Sequence, residues 1–226
     1  RPSDKVLDIG GGPGRYSVYL AEKGCNVTLF DLSQGNIDYA ARKAEEKGLT
    51  IQTICGDACV VDEVIDTQFD NILLMGPMYH LLEEAQRVSA INASLKLLKK
   101  GGHFYVSFIS MYAGMIYAMK FQPDIIGDPN EKAYHDALLE KRCYSGMAFT
   151  HAYFAMQDEI LPFMQQFPLK KLHFLGQEGI TAPCEGNIMS QPKEIANLWL
   201  DMCEMLCERE ELLSWSEHLM YIGEKL

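Results

Sequence analysis

Three glycines at alternating positions, Gly10, Gly12 and Gly14, follow the apolar run Lys5-Val-Leu-Asp-Ile9 and precede an amphipathic stretch that begins at Arg15. A turn of this kind has no side chains to hold a ligand away from the backbone, and the amides of the following helix point toward it. It therefore suits an anionic or carboxylate-bearing cofactor. About 20 residues beyond the glycines, at the end of Asn26-Val-Thr-Leu-Phe30, Asp31 has the type and position to accept hydrogen bonds from two ribose hydroxyls. The dinucleotide fingerprint G-x-G-x-x-G would place its third glycine at position 15, where this chain has Arg15, so a nicotinamide dinucleotide fits poorly. Farther along, Tyr79, His80 and His151 are side chains able to orient a reacting group or take its proton.

The acidic residue two positions before the first glycine completes Asp8-Ile-Gly-Gly-Gly-Pro-Gly14, a pattern that resembles motif I of the class I S-adenosylmethionine-dependent methyltransferases. The resemblance continues through Asp31 and through Gly56-Asp57-Ala58, which follows Ile51-Gln-Thr-Ile-Cys55 and is similar to the family's third motif. It reaches Phe69-Asp-Asn-Ile-Leu-Leu-Met75, which is similar to motif IV. It implies S-adenosylmethionine as cofactor, with S-adenosylhomocysteine as product. The residues implied to bind it are Asp8, Gly10, Gly11, Gly12, Gly14, Tyr16, Asp31, Leu32, Asp57, Ala58 and Met75, with Asp57 toward the adenine amine. An Asp at a strand end also serves as an ordinary cap, and a lone glycine turn marks many loops. What singles out this chain is three such junctions in the family's order.

By the same resemblance, Gly76-Pro-Met-Tyr-His80 lies where the methyl acceptor belongs, which makes Tyr79 and His80 candidates to orient or deprotonate it. The alternative for His80 is a histidine that caps the next helix or satisfies a backbone carbonyl. His151 and Tyr153 would share one face of a strand, and with Tyr16, Tyr112 and Glu178 would supply a polar and aromatic lining. Two further readings stay open: a non-catalytic protein that binds S-adenosylmethionine and regulates a partner, and a nicotinamide-dependent oxidoreductase.

These residues need elements to hold them. The chain reads as helix at 15–23, strand at 26–30, a helix capped by Ser33, strands at 51–55 and 69–75, a helix from Glu83 to Lys99, and a strand at 103–109. In the Glu83 helix, Ala85, Val88, Ile91, Leu95 and Leu98 would form the buried face, and Gly101-Gly102 would stop it. The family often has Pro where Lys100 stands. Helix at 157–166 and strands at 169–175 and 218–222 follow, the last expected antiparallel. Alternating strands and helices imply an α/β fold, a doubly wound, Rossmann-like, mostly parallel sheet of seven strands, with ligands at the strands' carboxyl ends.

One methyltransferase domain over 1–226 is expected, with inserted cap elements at about 110–154 and 176–214. In the second insertion Ile195, Leu198, Trp199, Met202, Met205 and Leu206 recur at helical spacing, which reads as a packing face, with a partner surface as the alternative. The resemblance also implies one or more helices upstream of the first strand, whereas this chain starts at Arg1-Pro2.

Composition narrows the acceptor. With 31 acidic against 20 basic residues the net charge is −11, the wrong sign for a phosphate backbone, so nucleic acid is not expected and a small-molecule acceptor is. The seven cysteines, at 25, 55, 59, 143, 184, 203 and 207, show no metal-binding spacing and read as reduced, mostly buried thiols, so no metal is assigned. No signal-like start and no bilayer-length apolar run occur, so no membrane partner is expected, and a cytoplasmic monomer or homodimer is.

Overall fold

The computed structural model describes residues 1–147 and 150–226. Its strands are β1 (Lys5–Ile9), β2 (Asn26–Asp31), β3 (Gln52–Cys55), β4 (Phe69–Leu74), β5 (Leu98–Ser110), β6 (Tyr144–Met147), β7 (His151–Ala155), β8 (Leu169–Gly176) and β9 (His218–Lys225). The helices are α1 (Arg15–Glu22), α2 (Gln34–Glu46), α3 (Val61–Val64), α4 (Pro77–His80), α5 (Glu84–Leu97), α6 (Ala113–Phe121), α7 (Lys132–Leu139), α8 (Gln157–Met164), α9 (Glu185–Met189) and α10 (Lys193–Leu206). The chain divides into two compact units. The first is Arg1–Ser107 with Phe167–Leu172 and Ile222–Leu226; the second is Phe108–Gln166 with His173–Tyr221. β5, β8 and β9 pass from one unit to the other along the sequence.

In the first unit the strands lie in the order β3-β2-β1-β4-β5 and pair in parallel. β1 and β2 are buried along nearly their whole length, and the residues responsible are branched or aromatic: Val6, Leu7 and Ile9 against Val27, Leu29 and Phe30. A strand covered on both faces reads as a continuous apolar run, which is how both segments read in sequence. The order reverses between β1 and β4. Right-handed crossovers then send the helices before and after the reversal to opposite faces. α1 packs with α2, and α3 with α5, consistent with that division.

α2 starts where expected, with the Ser33 hydroxyl accepting from the Asn36 amide at 3.4 Å. α5 is rotated from the expected face. Its buried side is Arg87, Ala90, Ile91, Ser94 and Leu95, while Ala85 is exposed and Val88 half-buried. Arg87 occupies the inner face because its guanidinium donates to the Leu81 and Leu82 carbonyls at 2.7 and 2.8 Å, a pairing that hydropathy spacing does not register. The strand after α5 also starts earlier than expected, at Leu98 directly after the helix, and runs through Gly101 at φ +74°.

In the second unit, Ile109 and Ser110 at the end of β5 pair in parallel with Phe154 and Ala155 of β7, and β7 pairs antiparallel with β6. The sheet thus has nine strands where seven were expected, the additions being β6 and β7 within the first insertion. That insertion includes Ala148 and Phe149, which lie outside the described residues. Tyr134, Tyr144 and Phe154 pack ring against ring at 5.6–6.1 Å between centroids. The last strand runs antiparallel to β5. The Ser110 amide donates to the Glu217 carbonyl at one end, and the Lys225 ammonium reaches the Leu98 carbonyl at the other.

The stripe on α10 is not a packing face. Leu198 and Met205 are 64% and 69% exposed, Ile195, Trp199 and Met202 are also exposed, and the helix buries only Ala196 and Cys203. Nor are the thiols mostly buried. All seven are free, but Cys203 alone is buried and Cys55 and Cys184 are exposed. Among the described residues no helix is long and apolar enough to cross a membrane, and no group of acidic, histidine and cysteine side chains could hold a metal ion.

Candidate cofactor site in the first unit

The glycine turn sits at the carboxyl end of β1, beside the point where the strand order reverses. Gly10, Gly12 and Gly14 have φ of +67°, +57° and +78°, a region that L side chains rarely adopt. Three of the four glycines are also fixed by crowding. A Cβ on Gly10 would come 2.4 Å from the Pro77 ring, one on Gly11 would meet Leu29 at 2.4 Å and the Asp8 carboxylate at 2.5 Å, and one on Gly14 would meet Ala40 at 2.7 Å. Gly12 differs, since nothing lies within 4 Å of where its Cβ would stand. The turn is thus locked from beneath and open at its tip. α1 follows directly, with Gly14 at its N-cap and no side-chain cap; Asp8 takes the Ser17 amide from beneath, which leaves the Arg15 and Tyr16 amides to an outside acceptor.

Two carboxylates hold the turn in different ways. Asp8 is 1% exposed and accepts from the buried Ser17 hydroxyl at 2.7 Å. Burial pushes its carboxyl up to about 6, the Asp31 charge adds to the rise, and the Ser17 bond partly offsets both. Asp8 therefore lies under the loop instead of facing its open side. Asp31 takes three donors: the Gly12 amide at 2.8 Å on one oxygen, and the Ser33 amide at 2.9 Å and Asn36 side chain at 3.1 Å on the other. A carboxylate has about four lone-pair positions, so one remains. Ser17 and Asn36 were absent from the residues singled out by sequence. Their signals were visible, a small polar residue in the first turn of α1 and an Asn three positions after the Ser33 cap.

Asp31 also links to the next junction, where its carbonyl accepts from the Gly56 amide at 3.0 Å. Gly56 is tightly packed, as a Cβ there would meet the Phe30 ring at 2.4 Å. Asp57 is exposed and accepts from the Cys59 amide at 2.9 Å, which caps the short turn Ala58–Val60. Leu32, 74% exposed, stands between these two acids in the chain. At the end of β4 the side chain of Met75 packs against Val6, Val27 and Leu73.

Just beyond, β1 and β4 touch through backbone, because a Cβ on Gly76 would come 2.7 Å from the Gly10 carbonyl and 3.8 Å from the Tyr79 hydroxyl. Tyr79 and His80 form one turn of helix, their rings 4.7 Å apart, with Tyr79 half-buried and His80 exposed. Burial, and then the neighbouring Tyr16, raise the Tyr79 phenol above its ordinary value. That group is a proton donor at neutral pH. The cap of α5 is Glu83, whose amide donates to the Gln86 side chain at 3.4 Å, so His80 does not cap that helix.

His151, Tyr153, Tyr112 and Glu178 belong to the second unit. His151 is exposed at the start of β7, opposite Met147. Tyr153 shares its face, and its hydroxyl donates to the Cys143 sulfur at 3.3 Å. Glu178 accepts from the His218 amide and ring at 2.9 and 2.8 Å. Burial would raise its carboxyl, but the His218 bonds prevail and hold it below the ordinary range. The Tyr112 amide donates to the Ser110 hydroxyl at 3.2 Å.

A family model described as a methyltransferase domain matches residues 6–102, the stretch that carries the glycine turn and both acidic junctions. The ubiquinone biosynthesis O-methyltransferase of Actinobacillus pleuropneumoniae serotype 7 (strain AP76) is 33% identical over 136 residues, covering 53% of this chain and 55% of that protein. The tRNA 5-carboxymethoxyuridine methyltransferase of Escherichia coli strain K12 is 33% identical over 119 residues, covering 51% and 44%. The chain thus spans about half the length of the curated relatives it matches. Among solved structures, an S-adenosylmethionine-dependent methyltransferase from Clostridium acetobutylicum ATCC 824 superposes with TM-score 0.62 at 15% identity, over 98% of this chain and 84% of that one. The N-methyltransferase NodS from Bradyrhizobium japonicum WM9, in complex with S-adenosyl-L-homocysteine, superposes with TM-score 0.57 at 14% identity, over 99% and 79%.

Proposed function

We propose that this chain, whose residues 6–102 match a methyltransferase-domain model, is a class I S-adenosylmethionine-dependent methyltransferase that transfers a methyl group from S-adenosylmethionine to a small-molecule acceptor. The observation that carries the reading is the turn that is packed at Gly10, Gly11 and Gly14, open at Gly12, and tied by Asp31 to the start of α2.

The residues present fit the cofactor. The Arg15 and Tyr16 amides at the start of α1 suit the carboxylate of its methionine moiety, and the remaining lone pair of Asp31 suits a ribose hydroxyl. Leu32 would cover one side of the base, and Asp57 and Ala58 would border its amino edge. Asp8 acts from below, holding Ser17 and the loop in place. Tyr16 and Met75 border the same end of β1 and β4 in sequence and would flank the sulfonium by side chain and backbone. When bound, the cofactor supplies an electrophilic methyl on a positively charged sulfur.

What this chain does for the transfer is to place the acceptor in line and keep water out. A hydroxyl acceptor must lose a proton, and the exposed His80 is the base proposed for it, with the protonated Tyr79 phenol orienting the acceptor oxygen. His151 is a second candidate base.

Calorimetric titration with S-adenosylhomocysteine, with NADH in parallel, tests the cofactor. Binding of the first alone is expected, and binding of NADH in its place would overturn the reading. Asp31→Ala should weaken S-adenosylhomocysteine at least about tenfold, the scale of a lost charge-assisted hydrogen bond. Unaltered affinity would remove Asp31 from the site. His80→Ala should retain that affinity and lose turnover on phenolic acceptors, and the same assay on His151→Ala ranks the two histidines.

The Escherichia coli relative favours one other reading, methylation of a modified nucleoside in tRNA. The net charge of −11 weighs against it, and turnover on unfractionated tRNA in place of small phenols would establish it.

A further inference from the structure

α10 presents an apolar face that the second unit does not use. Its inner side is fixed: Ala196 and Cys203 are buried, the Cys203 thiol lies 3.5 Å from the Thr181 hydroxyl, and a Cβ on Gly179 would come 3.4 Å from Cys203. Ile195, Leu198, Met202 and Met205 follow at spacings of three and four and form one continuous exposed stripe, with Trp199 along its inner border. Single exposed apolar residues need no explanation, but five on one helix face mark an interaction surface. Tryptophan and methionine are the residue types that interface cores favour and that adapt to a partner's shape.

The border of the stripe says what fits it. Glu194 and Asp201, seven residues apart, flank Leu198 and Met205 on the outer edge, with the exposed Glu204 in the next row. The only basic residue within α10 is Lys193, at its first position. A second copy of this chain is a poor occupant. An antiparallel two-fold pair of helices sets each edge against its own copy, so Glu194 and Asp201 would face the same carboxylates. An anionic bilayer is disfavoured by the same charges.

We propose that the stripe on α10 is a docking surface for an amphipathic helix of a partner protein, one whose apolar stripe is bordered by lysine or arginine along one edge.

The test uses the protein with Trp215→Phe, which leaves Trp199 as its one indole, since the chain has two tryptophans. The probe is a synthetic helical peptide of about 18 residues, enough to span the 14 residues of α10, with a leucine stripe and lysines on one edge. Its control carries glutamate in place of each lysine. The lysine peptide is expected to shift Trp199 emission to the blue and saturate, and the glutamate peptide to leave it unchanged. Leu198→Glu, at a position 64% exposed and so without cost to the fold, should abolish the response. Glu194→Gln with Asp201→Asn should weaken it about tenfold. No response to either peptide, or an equal response to both, overturns the proposal. So does a concentration-dependent dimer in sedimentation that Leu198→Glu disperses, which would make a second copy the occupant. A blue shift on vesicles of phosphatidylcholine and phosphatidylglycerol, with none on the lysine peptide, would assign the face to a membrane.

Discussion

At the scale of single residues, the two acids of the glycine turn sit in opposite surroundings. Asp31 is buried, and its carboxylate is held by three donors that are themselves backbone or helix-start groups, which leaves one lone-pair position for the ribose contact proposed above. Asp8 is the opposite case, a carboxyl at about 6 because burial costs the charged form more than Ser17 returns. Its folded value lies above the ordinary 3.8, so between those two pH values the folded chain binds more protons than the unfolded one. Stability therefore falls as pH rises through about 4 to 6 and levels off above, a cost on the order of 3 kcal/mol at neutral pH. Asp8→Asn keeps a partner for Ser17 without the charge. In urea melts at pH 4, 5, 6 and 7 the variant should gain on the parent across that interval and hold its lead beyond it. Parallel stability curves for the two proteins would show that Asp8 titrates in the folded chain at its ordinary value and is not shifted by burial.

At the scale of elements, each glycine of the turn has its own physical reason, and the reasons predict different failures. Gly11→Ala drives a methyl into Leu29 and the Asp8 carboxylate, and overpacking of this kind costs about 1–3 kcal/mol. Gly12→Ala meets no atom but must hold φ at +57°, a strain of about 1–2 kcal/mol, and it fills the open tip of the loop. Gly11→Ala should therefore lower the urea midpoint more, and Gly12→Ala should lower S-adenosylhomocysteine affinity more. The reverse order would mean that the ligand does not approach the loop at Gly12.

Which elements were legible in the sequence follows from the same forces. β1, β2 and β4 are short apolar runs that end in or run on to glycine or aspartate, so composition alone marks both the strand and its carboxyl end. β6 was missed because Tyr144-Ser-Gly-Met147 neither alternates nor excludes glycine, and it exists through its pairing with β7. The face of α5 was misplaced because an arginine satisfied by two carbonyls can be buried, and the stripe on α10 was taken for core because helical periodicity reports an apolar face and not what covers it. In the proposed site, the glycine turn and the position of Asp31 at a strand end were readable by type and spacing. Ser17 and Asn36 were visible as polar residues at helix starts, but their partners were not, since those contacts form only when helix and strand ends meet.

At the scale of the whole molecule, the charge of −11 bears on the acceptor more directly than any side chain does. A protein that acts on tRNA gains much of its affinity by displacing counterions from phosphates with lysine and arginine, and that contribution is general to the polyanion. Here acidic residues outnumber basic ones 31 to 20, so the long-range field repels a phosphate backbone before contact. The relative named for a tRNA nucleoside shares with this chain a stretch covering 51% of it, and the family model matches residues 6–102, which include the proposed cofactor turn. Likeness there transmits the cofactor and leaves the acceptor to residues outside it. Filter binding with unfractionated tRNA at physiological salt should therefore show no retention at about 10 μM protein, within the range where non-specific nucleic-acid binding by basic proteins is seen. Saturable retention in the low micromolar range, falling steeply as salt is raised, would mean that a local basic surface overrides the total charge, and the acceptor would then be sought in RNA.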